Sequence, residues 1–211
     1  MAICCCTGVN CGKARQTEYC EQTWKPQEVA QTMNITELTA PCINSLHLLS
    51  EPAIAELRSD HAGETGAVYI YKGILAVSRS PELRKFAEEH LRTEQVHLGA
   101  LELLTPRRSH SALLPIWRLA GWSLGAFSVL FGPDFTFATI RAVETFVVQH
   151  YQQQLHLFPQ PLCDLLQRFC DEEAEHRDEA DSAMHCAISF PFWEWLVGAG
   201  SSFAVRLARQ F

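Results

Sequence analysis

The spacing of apolar residues changes near residue 50 of this 211-residue chain. From residue 52 onward, apolar side chains recur at alternating steps of three and four, which is the period of a helix packed on one face. Before residue 50, neither a helical nor a strand period is sustained. The pattern predicts a flexible, cysteine-bearing tail over residues 1–50 and one helical domain over residues 51–211.

Prolines divide the second part into six helical segments. Ser80 followed by Pro81 is typical of a helix N-cap and a first-turn proline. The predicted segments cover residues 52–77, 81–104, 112–132, 135–157, 162–185 and 190–205. No stretch has the alternation of a strand, so we predict an all-α fold.

Composition and charge exclude several classes of protein. Hydrophobic residues make up 47% and charged residues 19% of the chain, which is typical of a globular domain. The net charge of −7 disfavours binding to the phosphate backbone of nucleic acids. Six of the nine cysteines lie in the first 42 residues, without C-x-x-C spacing or a signal peptide, so we expect reduced thiols.

Two E-x-x-H motifs carry the candidate chemistry. Glu94 precedes His97 by three residues, and Glu173 precedes His176 in the same way. Residues three apart project from one face of a helix, so both groups can reach one ion. Each motif lies on the apolar stripe of its helix, where a carboxylate is either protonated or paired with a cation.

An internal repeat strengthens this interpretation. Glu64 precedes Glu94 by 30 residues, Glu144 precedes Glu173 by 29, and a tyrosine follows each single glutamate by seven residues. That separation is the length of half a helix, a turn and half a returning helix. Two such hairpins packed face to face would bring together Glu64, Glu94, His97, Glu144, Glu173 and His176.

Four carboxylates and two imidazoles form the ligand set of di-iron and di-manganese helical bundles. Residues 98–143 are long enough to supply the crossover between two hairpins. Oxygen and nitrogen ligands without thiolate favour iron or manganese. Two redox-active ions favour activation of dioxygen over hydrolysis.

Other polar residues on the inward stripes have open roles. His61, one turn before Glu64, is placed to support a ligand by a hydrogen bond. Tyr71 and Tyr151 fit packing as well as a catalytic or radical-protecting role. His150 fits support of a ligand or the surface.

Further residues have ordinary interpretations. His90 is interpreted as a core or supporting histidine. Several glutamates beside the motifs are predicted to be solvated, namely Glu88, Glu89, Glu172, Glu175 and Glu179. Cys163, Cys170 and Cys186 are predicted to be small buried residues.

Three stretches in combination resemble the demethoxyubiquinone hydroxylases. Residues 59–67 read SDHAGETGA, which is similar to the D-H-A-G-E-x-G-A signature of that family. Residues 142–144 with His150 and Tyr151 resemble its third bundle helix, and residues 168–176 resemble its fourth. The resemblance covers residues 52–211.

The resemblance implies a ferritin-like four-helix bundle that holds two iron ions. It assigns Glu64 and His97 to one iron, Glu144 and His176 to the other, and Glu94 and Glu173 as bridges between them. In one respect the chain departs from the family, because Thr145 stands where members often have a glutamate.

The resemblance also implies the reaction. It indicates a monooxygenase that uses O2 to hydroxylate the ring of a demethoxyubiquinol precursor, 2-polyprenyl-3-methyl-6-methoxy-1,4-benzoquinol, in ubiquinone biosynthesis. NADH is the expected electron source; no G-x-G-x-x-G fingerprint is present, so it would bind transiently. The alternatives are a ferroxidase or iron-handling protein and a non-enzymatic scaffold for quinone lipid. Other ubiquinone-biosynthesis proteins are further possible partners.

Residues 112–132 and 190–205 are apolar and carry four tryptophans. Prolines and charges interrupt both stretches, so neither provides the roughly 20 apolar residues of a membrane span. We expect helices that lie in the membrane interface, and buried helices or a protein-binding surface are the alternative. A peripheral protein of the inner membrane follows, on the cytoplasmic face in a bacterium or in the mitochondrion of a eukaryote.

Overall fold

The computed structural model describes residues 34–185 and 189–211. In this part of the chain the helices are α1 (Ile35–Ile43), α2 (Glu51–Val77), α3 (Pro81–Leu104), α4 (Leu114–Val129), α5 (Pro133–Gln154), α6 (Leu162–Ser182) and α7 (Pro191–Ala208). The described residues contain no strand, which confirms the all-α prediction. The six predicted helices are all present, with ends that differ by a few residues.

Two hairpins form the bundle. Helix α2 packs against α3, and α5 packs against α6. Helix α4 is the crossover and packs along α2, while α7 packs against α5 and α2. The predicted cap is confirmed, since the Ser80 hydroxyl accepts a hydrogen bond from the Leu83 amide at 3.4 Å. This cap fixes where α3 begins and therefore which residues of α2 and α3 lie level.

Two apolar clusters lie along the bundle. One contains Leu57, Leu101 and Leu166, and the other contains Ile74, Leu83 and Phe137. Each bundle helix contributes side chains to both clusters. Its candidate ligands lie between these two groups of apolar residues along the helix. The polar centre is thus enclosed by apolar packing at both ends.

The expectation of a flexible tail as far as residue 50 is wrong for its last part. Helix α1 begins after Asn34, whose side chain accepts a hydrogen bond from the Thr36 amide at 3.0 Å. It packs against α3, and Cys42 is only 2% exposed in the first apolar cluster. The helix is short and contains Pro41, so it does not display the repeated period of the longer helices. Residues 1–33, with the other five tail cysteines, lie outside the described residues.

Glycines bring the crossover helix into direct backbone contact with α2. A Cβ at Gly121 would overlap the carbonyl oxygen of Gly66, and one at Gly125 would overlap that of Ile70. Gly73 of α2 faces the Trp122 carbonyl oxygen in the same way. The separation of α2 and α4 therefore depends on the absence of side chains at these positions.

Replacing Gly125 with alanine is expected to lower the free energy of unfolding by about 1–3 kcal/mol, because the two backbones must separate. Chemical denaturation measures this loss. Gly198→Ala in α7 is the matched control, since a Cβ there meets nothing within 4 Å. Alanine at that position should be neutral or stabilising by up to about 1 kcal/mol. Equal effects at both sites would contradict the close-contact interpretation.

None of the helices in residues 34–185 and 189–211 has the length and apolarity required to cross a membrane.

Candidate metal centre

The six side chains selected from the sequence converge in the middle of the bundle. They fall into two sets whose ligand atoms all lie within 4.8 Å of one another, namely Glu64, Glu94, His97 and Glu173, and Glu94, Glu144, Glu173 and His176. All six residues are buried. Glu94 and Glu173 belong to both sets. These are the two residues that the family resemblance assigns as bridges between the ions.

The distances within the sets are those of a coordination sphere. His97 Nδ1 lies 2.8 Å from a Glu173 oxygen and 3.8 Å from a Glu64 oxygen. His176 Nδ1 lies 3.2 Å from a Glu94 oxygen and 3.3 Å from the other Glu173 oxygen. Ligand atoms that bind one ion at about 2.1 Å lie about 3 Å from each other. Each E-x-x-H motif therefore presents one Nδ1 and one carboxylate to a common volume.

Most of the atoms that face this volume make no hydrogen bond of acceptable geometry, although several lie at ion-pair distance from one another. They are both side-chain oxygens of Glu94 and of Glu173, one oxygen of Glu144, and Nδ1 of His97 and of His176. Leaving a buried polar atom unsatisfied costs about 1–3 kcal/mol, and more for a charged group. A divalent cation, or a pair of them, satisfies all of these atoms at once, so the donor set fits a two-metal centre.

The titration behaviour of the metal-free site reflects crowded carboxylates. Burial and the charges of Glu94 and Glu173 raise the pKa of Glu64 well above its ordinary value. Burial and the same two neighbours raise the pKa of Glu144. Burial opposes ionisation of Glu173 too, but His176 and His97 hold its pKa below the ordinary value. Without metal, the site therefore retains protons that cations would replace.

The pKa values of the two candidate imidazole ligands are raised, although burial alone would lower them. Burial lowers the pKa of His97, but the adjacent Glu172 and Glu173 carboxylates outweigh it and raise the pKa well above its usual range. Burial also opposes protonation of His176, whose pKa is raised by Glu173 and Glu94. Each ring is thus held by carboxylates that could share a metal with it.

The two tyrosines of the repeat cross between the hairpins. The Tyr71 hydroxyl donates to Glu144 at 3.2 Å, and the Tyr151 hydroxyl donates to Glu64 at 2.8 Å. Each tyrosine therefore holds the single glutamate of the opposite half. Burial, with nearby carboxylates, raises the pKa of both phenols well above 10, so both remain neutral donors at physiological pH.

Glu172 was predicted to be a solvated flank, and that prediction is wrong. Its side chain is buried, and His97 Nε2 lies 2.7 Å from one of its oxygens. Arg168 donates to the other oxygen at 2.9 Å. Burial opposes its ionisation, but the hydrogen bond from His97 lowers the pKa of Glu172. A carboxylate that accepts from Nε2 fixes the His97 ring with Nδ1 toward the centre.

Replacing Glu172 with alanine is expected to weaken metal binding about 10- to 100-fold, because His97 loses the acceptor that orients it. Metal titration of the stripped protein measures the change. Asp171→Ala is the control on the same helix, where the carboxylate is exposed and accepts a hydrogen bond from Gln167. Equal affinity in both variants would show that Glu172 does not orient His97.

The remaining histidines lie outside the two ligand sets. His150 is buried, with Nε2 3.1 Å from the Ser59 hydroxyl and 3.2 Å from an Asp60 oxygen. The His61 ring packs on His110 at 4.3 Å between centroids, and no hydrogen bond found among the described residues joins it to the six candidate ligands. Burial, with the charges of His110 and Arg118, lowers the pKa of His61 to about 4.

Several other positions can be compared with their expectations. His90 is buried and its ring stacks on His176 at 4.3 Å, which agrees with a core or supporting histidine. The Thr145 hydroxyl donates to the Arg141 carbonyl within its own helix at 2.7 Å. Cys170 is buried and Cys163 is half-buried, whereas Cys186 lies outside the described residues.

An apolar cavity of about 400 Å³ opens from the centre. Four of the candidate ligands, all glutamates, line its inner end. Its outer walls come from α4 and α7 and include Trp117, Leu124, Trp193 and Phe203. Ser59, Asp60 and His150 are among the few polar side chains on the walls. A largely apolar molecule with a polar head could therefore reach the carboxylates from the α4 and α7 side.

Residues 53–208 match the family described as "Ubiquinone biosynthesis protein COQ7". The chain is 33% identical over 169 residues to the Mus musculus protein named NADPH-dependent 3-demethoxyubiquinone 3-hydroxylase, mitochondrial, covering 74% of this chain and 76% of that one. It is 37% identical over 162 residues to the Rhodospirillum rubrum 3-demethoxyubiquinol 3-hydroxylase, covering 73% and 76%.

A yeast relative extends the comparison. The Saccharomyces cerevisiae protein named 5-demethoxyubiquinone hydroxylase, mitochondrial, is 28% identical over 185 residues, covering 76% of this chain and 74% of that one. The matched region spans the two hairpins, the crossover and α7, and so contains all six converging side chains. The chain belongs to the COQ7 family of ubiquinone biosynthesis proteins.

Proposed function

We propose that this chain hydroxylates the ring of a demethoxyubiquinol precursor with O2 in ubiquinone biosynthesis, using two iron ions held by the six converging side chains. The observation that carries the proposal is a pair of overlapping Glu/His sets at the inner end of an apolar cavity. Relatives that cover most of this chain carry names of this activity.

Two ferrous ions at this position would together supply a pair of electrons to dioxygen. The protein's part is to hold the ions and exclude water. Glu94 and Glu173 would bridge the ions, while Tyr71 and Tyr151 fix the Glu144 and Glu64 carboxylates through their hydroxyls. The two phenol rings are themselves buried beside the reacting volume and help to shield it from bulk solvent.

The cavity fits the two chemically different ends of the substrate. The benzoquinol ring would lie at the inner end, where the ring oxygens can meet Ser59 and His150. The polyprenyl tail would follow the apolar wall between Trp117 and Trp193 toward the outer faces of α4 and α7. Burial of each methylene of such a tail contributes about 0.8 kcal/mol.

The hydroxylation requires two electrons and two protons besides O2. One oxygen atom enters the ring as a hydroxyl group and the other leaves as water. A reduced nicotinamide that binds only transiently would donate the electrons. The family resemblance implies NADH, while the mouse relative's name specifies NADPH. Turnover with each nicotinamide separates the two.

The outer faces of α4 and α7 expose large apolar side chains. They include Leu119 of α4 and Phe192, Trp195 and Phe203 of α7, each more than half exposed, and Leu130 and Phe131 directly after α4 are equally exposed. These exposed apolar side chains favour a peripheral protein that lies on a lipid surface. The membrane of residence would be the mitochondrial inner membrane in a eukaryote or the inner membrane in a bacterium. The names of the mouse and yeast relatives place those proteins in the mitochondrion.

Replacing Phe192 and Trp195 with serine is expected to reduce partition into phospholipid vesicles by at least about tenfold, because each side chain loses about 1.5–3 kcal/mol of apolar burial. Co-sedimentation with vesicles measures partition. Leu48→Ser with Leu103→Ser is the control, since both leucines are more than half exposed but lie outside α4 and α7. Equal losses in both double variants would contradict membrane docking through α7.

The direct test uses purified protein loaded anaerobically with ferrous iron. It is supplied with a short-tailed demethoxyubiquinone, a reduced nicotinamide and O2. The expected result is about two irons per chain and a product heavier by one oxygen atom, with that atom derived from ¹⁸O2. Iron oxidation and retention of many irons per chain, independent of quinone, would favour the ferroxidase alternative and sink the hydroxylase proposal.

A further inference from the structure

A second approach to the candidate centre lies on the α3 and α6 side of the bundle. A surface cleft of about 520 Å³ is lined by Phe86 of α3 and by Glu175, Asp178 and Glu179 of α6, with Ser182 and Ala183. Three carboxylates thus face one opening. Clusters of acidic side chains are common on the surface of an acidic protein, so these carboxylates alone do not indicate a functional site. The buried side chain behind the cleft is the further observation that does.

His90 lies beneath this cleft and has an unsatisfied nitrogen. The residue is 2% exposed, and its Nε2 makes no hydrogen bond. That atom is 3.3 Å from a Glu179 oxygen, so it is directed at a carboxylate that lines the cleft. The Phe86 ring covers the other side of the imidazole, with ring centroids 3.9 Å apart.

His90 also touches the buried centre. Its ring stacks on the His176 ring, with centroids 4.3 Å apart and planes inclined by 24°. His176 Nδ1 in turn lies beside Glu94 and Glu173. Oxygen and nitrogen donors therefore follow one another from the cleft through Glu179, His90 and His176 to the bridging carboxylates.

The cavity on the opposite side is a poor path for a cation. Its walls between α4 and the centre are mainly apolar, and moving a divalent ion past apolar surface without ligands is strongly unfavourable. The acidic cleft is lined by carboxylates, and the His90 imidazole lies 3.3 Å behind one of them. Carboxylates and imidazoles are ligands that ferrous iron accepts. The two approaches therefore differ in the chemistry they admit.

We propose that the cleft lined by Glu175 and Glu179, with His90 buried directly behind Glu179, is the route by which ferrous iron enters the buried centre. Glu175 and Glu179 attract and partly dehydrate the ion, and His90 transfers it to the first ligands inside. The proposal rests on the two-metal centre proposed above. A histidine that serves only in packing does not need a ring nitrogen directed at a carboxylate. A histidine that passes an ion inward does.

A route can be separated from a binding site by kinetics. A residue on the path lowers the barrier for entry and exit alike, so its loss slows metal uptake and metal release by the same factor and leaves the equilibrium affinity unchanged. Loss of a ligand weakens the affinity. Both rates can be measured on metal-free protein without any turnover.

The test mixes stripped protein with Fe²⁺ anaerobically in a stopped-flow instrument and follows free ion with a fluorescent indicator. Release is followed after adding excess chelator. In the double variant E175Q/E179Q, uptake and release should both slow about tenfold or more, with the dissociation constant within about twofold of the parent. His90→Leu should show the same pattern. The control E51Q/E102Q removes the same charge at two exposed glutamates on other surfaces.

The outcomes are distinct. Uptake by E175Q/E179Q at the rate of the control double variant overturns the entry route, and so does a weaker affinity with an unchanged uptake rate. If the parent protein itself binds no iron at equilibrium, the metal centre fails and the route fails with it. A parent that binds iron while all variants load equally fast would remove the route alone.

Discussion

Replacing Glu173 with alanine is expected to abolish hydroxylation and to remove both metal ions. Glu173 belongs to both ligand sets, and its two oxygens lie 2.8 Å from His97 Nδ1 and 3.3 Å from His176 Nδ1. No other side chain among the described residues contacts both imidazoles in this way. Loss of this carboxylate therefore removes one ligand from each ion and the bridge between them. We expect turnover to fall by at least about 10³-fold, which corresponds to about 4 kcal/mol.

Metal analysis and turnover of the same preparation test this expectation. Asp171→Ala on the same helix is the control, because that carboxylate is exposed and accepts a hydrogen bond from Gln167. It should retain both ions and full activity. Glu173→Ala protein that is folded by circular dichroism and still turns over would refute a shared metal site. Retention of two ions without turnover would instead place Glu173 in the reaction and not in metal binding.

The position of the candidate centre could be predicted from the sequence because it depends on spacing within helices. Glu94 with His97 and Glu173 with His176 each lie three residues apart, and the helical period alone places each pair on one face. The repeat of about 30 residues then sets Glu64 and Glu144 level with these pairs. All of this follows from local geometry, and the packing of the hairpins adds only the convergence.

Contacts that depend on the neighbouring helix could not be predicted in this way. Glu172 precedes a candidate ligand by one residue, and its direction toward His97 is decided by the packing of α3 on α6. The tyrosine repeat indicated inward positions but not that Tyr71 reaches Glu144 and Tyr151 reaches Glu64 across the bundle. Helix α1 has too few turns for its period to stand out, so its burial against α3 was missed.

The stability of the metal-free protein is expected to fall as the pH rises from about 6.5 to 8. In the folded state the pKa values of Glu64 and Glu144 lie well above the ordinary value of 4.5. The folded protein therefore keeps protons that these two side chains lose in the unfolded chain. It also raises the pKa of His97 and His176, which adds the same effect above 6.5. A folded state that binds more protons loses stability with increasing pH. Glu173 has a lowered pKa, and its opposite contribution is confined to pH values below about 4.5. Burial also lowers the pKa of His61 and of His90, so these two rings oppose the decline up to about pH 6.5 and not above it.

Metal reverses this dependence, because cations bind the deprotonated ligands and release the protons held there. The gap in melting temperature between iron-loaded and stripped protein should therefore widen from pH 6 to pH 8, by on the order of 5 °C. Anaerobic thermal unfolding at several pH values measures this gap. In Glu144→Gln, the amide oxygen can still accept from Tyr71 but carries no titrating proton, so the decline of the metal-free protein with pH should be shallower. A metal-free protein whose stability is constant or rises over this interval would show that the carboxylates do not share protons in the absence of metal. The buried ligand atoms would then have to be satisfied by partners other than the cations that their geometry implies.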